Sequence, residues 1–96
     1  MQRVVIDTNV FVSSLIQRGH PRRIVYDLFW ENKIELCVSS SVMKEYYEVL
    51  NRKRFLKYLD FRINADRLLG YIETKGLRYS PKLKVNLISD ENDFLN

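Results

Sequence analysis

Two short apolar, β-prone runs, each followed by a stretch with helical periodicity, restrict what this chain can fold into more than any other feature. The first covers residues 3 to 6 and holds Val4-Val5-Ile6; the second is Ile34-Glu35-Leu36-Cys37-Val38. An apolar run without alternation suits a strand covered on both faces, so residues 3 to 6 read as a central strand. Between the runs, Ile24, Val25, Leu28 and Phe29 recur at helical spacing, with Arg22, Arg23 and Asp27 off the stripe and Pro21 placed to open that helix. Val10 to Ile16 has room for one or two earlier helical turns. Strand and helix in alternation predict a parallel sheet with right-handed crossovers, hence an α/β fold.

The second half continues the alternation. Ser39, Ser40 and Ser41 are N-cap candidates for a helix over about Val42 to Asn51, with Val42, Tyr46, Val49 and Leu50 on its buried side, Met43 and Tyr47 on its flank, and Glu45 beside the stripe. Arg52 to Tyr58 is basic and aromatic. Asn64 is placed to cap a further helix in which Ala65, Leu68, Leu69 and Ile72 repeat, with Gly76 as its stop. Pro81 then falls in an extended connection and Val85 to Ile88 reads as a third strand. No repeat or linker divides the 96 residues, so one domain is expected. At this size only about 60 to 65% of the unfolded surface leaves water on folding.

Composition narrows the function. No apolar run approaches the roughly 18 residues needed to span a bilayer, and the N-terminus does not resemble a secretion signal, so a cytoplasmic protein without a membrane partner is expected. Cys37 is the single cysteine, which excludes an intrachain disulfide or a cysteine-built zinc site, and it reads as a small hydrophobe. The single histidine, His20, lies between Gly19 and Pro21 and reads as a solvated loop residue, so histidine-driven catalysis is not expected. A net charge of +4 and a pI near 9.3 suit a polyanionic partner. Basic residues gather at Arg22-Arg23, at Arg52-Lys53-Arg54 with Lys57, and at Lys82 and Lys84; any one cluster also fits an ordinary solvated face.

The acids carry the chemistry. Asp7-Thr8-Asn9 follows the first strand, Glu45 sits about one turn into the helix after the second, and Asp90, Glu91 and Asp93 follow the third. In a parallel sheet these positions share one edge, and neighbouring strands lie about 4.8 Å apart, so the acids can converge. Converging carboxylates repel unless a divalent cation neutralises them, and an oxygen-only set favours Mg²⁺ or Mn²⁺. Such ions activate water for phosphodiester cleavage. Each acid has a structural alternative: Asp7 in an Asx-type turn, Glu45 as an exposed helix residue, Asp90 to Asp93 as helix-capping acids.

The segments Arg3-Val4-Val5-Ile6-Asp7-Thr8-Asn9-Val10, Ser40-Ser41-Val42-Met43-Lys44-Glu45-Tyr46-Tyr47-Glu48-Val49-Leu50 and Ile88-Ser89-Asp90-Glu91-Asn92-Asp93 together resemble the PIN domain, and most of all its prokaryotic toxin-antitoxin branch. The resemblance implies a three-layer fold with a short central parallel sheet flanked by helices. It also implies a Mg²⁺- or Mn²⁺-dependent ribonuclease in which Asp7, Glu45 and Asp93, or Asp90 in its place, are the catalytic metal ligands. Thr8 and Asn9 match residues that support the first aspartate, and Arg22, Arg23, Arg52, Lys53 and Arg54 are candidates for RNA contact. RNA, an antitoxin protein and a second copy of the chain are the partners expected.

The sequence stops at Asn96, before the helix, strand and fourth acid of the family pattern, and Phe94 directly follows Asp93. A C-terminally truncated domain is therefore expected, with one side of the first strand unpaired and an oligomer covering what is exposed. The rival reading is an inactive remnant that binds protein or nucleic acid. A phosphotransfer protein of the dehalogenase type also places an aspartate after its first strand, but it needs a second aspartate where this chain has Asn9.

Overall fold

The computed structural model describes residues 2–17, 20–29, 31–79 and 86–88. The chain runs through β1 (Gln2–Ile6), α1 (Thr8–Ile16), α2 (His20–Phe29), β2 (Ile34–Val38), α3 (Ser40–Leu50), a 3₁₀ turn (Lys53–Phe55), α4 (Phe61–Lys75), β3 (Leu77–Arg78) and β4 (Asn86–Ile88). The strands form one sheet in the order β3-β2-β1-β4, and every pair is parallel. This is the α/β, PIN-like arrangement of a short parallel sheet flanked by helices.

β1 is central, as its composition requires. Val4 is level with Leu36 of β2 on one side and with Asn86 of β4 on the other, and Val4, Val5 and Ile6 are all buried. The expectation that the first strand is left unpaired on one side is therefore wrong: β4 occupies that edge. The outer positions belong to β3 and β4. β3 escapes a sequence reading because two residues, Leu77 and Arg78, are too short to show a period; its partners are Cys37 and Val38. The strand read over Val85 to Ile88 is thus the fourth, seen here over Asn86–Ile88.

Helix boundaries follow caps and ring packing. Asp7 caps α1 by accepting the Asn9 amide at 3.0 Å, which carries the helix back to Thr8 and makes it nine residues long. Ser39 caps α3 through the Val42 amide at 3.2 Å, so α3 starts two residues earlier than its apolar stripe suggests. Met43 joins the core while Tyr47 stays 40% exposed. His20 is the first residue of α2 rather than a loop residue, and Pro21 stands at the helix entrance as expected.

α4 begins at Phe61, not after a cap at Asn64. The Asn64 amide already donates to the Asp60 carbonyl at 3.0 Å, and Asp60 sits at φ 59° with no side-chain cap bond. Phe61 is buried with its ring stacked on Phe55, centroids 5.0 Å apart. Burying a phenylalanine contributes about 1.5 to 3 kcal/mol, more than the roughly 1 kcal/mol of a good cap, so the rings decide where the helix starts. Gly76 ends α4 as predicted.

Val4, Ile6, Phe11, Leu36, Val38, Tyr46, Leu50 and Ile72 make up the centre of a core continuous across the sheet and its helices. Cys37 is fully buried within β2, in keeping with its reading as a small hydrophobe. Among the described residues no helix is long and apolar enough to cross a membrane.

Candidate active site

Asp7 stands where β1 gives way to α1, its Oδ1 held by the Asn9 backbone amide. The next residue, Thr8, is buried, and its hydroxyl donates to Glu45 Oε2 at 2.8 Å. Glu45 itself is exposed on the second turn of α3, so this bond brings it to the end of β1 while leaving the carboxylate open to solvent. One residue on, the Tyr46 hydroxyl donates to the carbonyl of Ile6. Two adjacent residues of α3 therefore hold two positions that flank Asp7.

Tyr46 is fully buried and meets the Phe11 ring edge-on, with centroids 5.1 Å apart and planes at 87°. Burial pushes its hydroxyl well above the usual tyrosine range, and the charges of Glu45 and Asp7 push the same way. The group stays protonated and keeps donating. Sequence reasoning assigned Tyr46 to packing alone and missed this bond. The available signal was a tyrosine, rather than a phenylalanine, at a buried stripe position, since a buried phenol must find a partner.

Glu45 is bonded to Thr8, the residue next to Asp7. Thr8 and Asn9 divide the support differently from the expectation: Asn9 holds Asp7 through its backbone, and Thr8 holds Glu45. Asp90, Glu91 and Asp93 lie outside the described residues. Ile88, shortly before them, is paired with Ile6, the residue before Asp7, in the neighbouring parallel strand. Among the described residues neither Asp7 nor Glu45 is ion-paired, and no three acids, histidines or cysteines form a metal-holding group. Two uncompensated carboxylates at one strand end, with oxygen as their only donor, fit a hard divalent cation that takes further oxygen ligands.

The basic residues fall into two places. Arg22 and Arg23 are exposed on α2, and the Arg22 guanidinium donates to the Ser14 carbonyl of α1 at 3.3 Å. Arg52, Lys53 and Arg54 are exposed beyond the end of α3, with Arg54 over the Phe55 ring at 5.0 Å. Lys82 and Lys84 lie outside the described residues.

Comparison with known proteins agrees with this geometry. Residues 3–95 match the PIN domain. An uncharacterized protein of the archaeon Methanocaldococcus jannaschii is 35% identical over 97 residues, an alignment covering 98% of this chain and 62% of the relative, so the chain spans less than two thirds of that protein's length. No solved structure matches. With nearly the whole chain inside the family's pattern, and an acid closing a central parallel strand, the protein belongs to the PIN-domain family.

Proposed function

We propose that the protein is a Mg²⁺- or Mn²⁺-dependent endoribonuclease whose metal is held by Asp7, Glu45 and a third acid, Asp93 or Asp90. The observation that supports this is the Thr8–Glu45 hydrogen bond, which brings a helix carboxylate to the strand end that carries Asp7. A bound divalent cation would lower the pKa of a water and offset charge building on the phosphate. The chain's own part is to hold the two carboxylates in place, Asp7 through the Asn9 amide and Glu45 through Thr8. Arg22, Arg23, Arg52, Lys53 and Arg54 would attract and retain the RNA backbone, an attraction that weakens as salt rises.

The likeness of the three motif segments to the toxin-antitoxin branch supports a cytoplasmic toxin restrained by an antitoxin protein. Self-association rests on exposed Leu56, Leu59 and Ile63, now that β1 has both partners.

The test is cleavage of single-stranded RNA. Cutting in Mn²⁺, its loss in EDTA, and its loss in Asp7→Asn are expected. Cutting that survives EDTA or Asp7→Asn would refute the metal reading, and binding of RNA without any cutting would establish the remnant instead.

A further inference from the structure

We infer that the Tyr46 hydroxyl is a positioning group that sets Asp7 against Glu45, acting with Thr8 as a two-bond clamp between the end of β1 and the second turn of α3. The inference rests on the proposed metal role of those two acids. Its ground is where the two bonds fall. The Ile6 carbonyl that accepts from Tyr46 lies in the same planar peptide unit as the amide nitrogen and Cα of Asp7. Holding that oxygen therefore holds the backbone from which the Asp7 side chain leaves. On the other side, Tyr46 is covalently next to Glu45, whose carboxylate is tied to Thr8. Each acid is thus the neighbour of a residue anchored to the other's segment, across about forty positions of chain.

Packing alone does not call for the hydroxyl. The ring already lies edge-on to Phe11 inside the core, where a phenylalanine would fill the same space. A buried hydroxyl loses its hydration and recovers it only through a partner, so its net effect on stability is small while its effect on geometry is specific. Groups that orient a metal ligand without touching the metal commonly change affinity by about 10- to 100-fold when removed.

The experiment compares Tyr46→Phe with Val49→Ala, a cavity-forming change on the same helix, in the full chain. Mn²⁺ affinity by calorimetric titration is expected to fall about tenfold in Tyr46→Phe. Val49→Ala is expected to lower the melting temperature at least as much and to leave Mn²⁺ affinity unchanged. Equal affinity in the two variants would overturn the clamp. A second readout needs no metal: hydrogen exchange at the Asn9 and Val10 amides, which bond to Asp7, should accelerate in Tyr46→Phe relative to amides of α4. An unchanged ratio would also overturn it. If Asp7→Asn binds Mn²⁺ as tightly as the native chain, the metal reading fails, and the exchange ratio still decides the clamp.

Discussion

Tyr46 and Cys37 give the fold a definite response to alkaline pH. Burial raises both, so in each case the unfolded chain ionises before the folded one. An acid whose folded pKa lies above its unfolded value contributes stability that is whole below the unfolded pKa and is lost as pH rises through the folded one. The loss should begin near the ordinary cysteine value, about 8.5, and steepen above about 10, where free tyrosine ionises. Urea unfolding at pH 8 and at pH 10.5 is expected to show a clear loss for the native chain and a smaller one for Tyr46→Phe. Equal losses would show that Tyr46 is not a source. At this scale the sequence was informative wherever position along an element sufficed: Asp7 at a strand end and Glu45 one turn into a helix. Thr8 and Tyr46 were not legible in the same way, because their partners lie 37 and 40 positions away and no local pattern encodes them.

A glycine within α4 and the glycine that caps it have opposite roles. Gly70 is exposed in mid-helix, and a Cβ there meets nothing within 4 Å. Gly70→Ala should stabilise the protein by about 0.5 to 1 kcal/mol, because alanine restricts the unfolded chain and keeps the helix geometry. At Gly76 a Cβ would come within 2.6 Å of the Ile72 carbonyl and 3.0 Å of Val38 Cγ2, just where the Gly76 amide closes the helix onto that carbonyl. Gly76→Ala should cost about 1 to 3 kcal/mol as backbone and strand are pushed apart. Thermal unfolding of the two variants should shift in opposite directions; a shared direction would contradict the packing described at Gly76. Elements were legible when they were long and periodic, as α3 and α4 were. Their starts were not, since Ser39 and the Phe55–Phe61 stack set them from outside the stripe, and β3 is too short to announce itself.

For the whole molecule, the sheet order corrects the argument for self-association without removing its other support. Leu56, Leu59 and Ile63 are 59%, 89% and 55% exposed around the junction that leads into α4. Sedimentation is expected to show a concentration-dependent dimer that Leu59→Glu dissociates, whereas a native chain monomeric at every concentration would dispose of the idea. The same sheet order bears on how the protein is made. Parallel pairing of β1 with β4 joins residues 4–6 to residues 86–88, and contacts so distant in sequence form late because the intervening chain must be ordered first. On the ribosome β1 emerges early, and β2 can line up beside it and β3 beside β2 while the second edge of β1 stays open. Until β4 arrives, the strand that leads into Asp7 keeps one edge of unpaired backbone groups, a template for pairing with another chain.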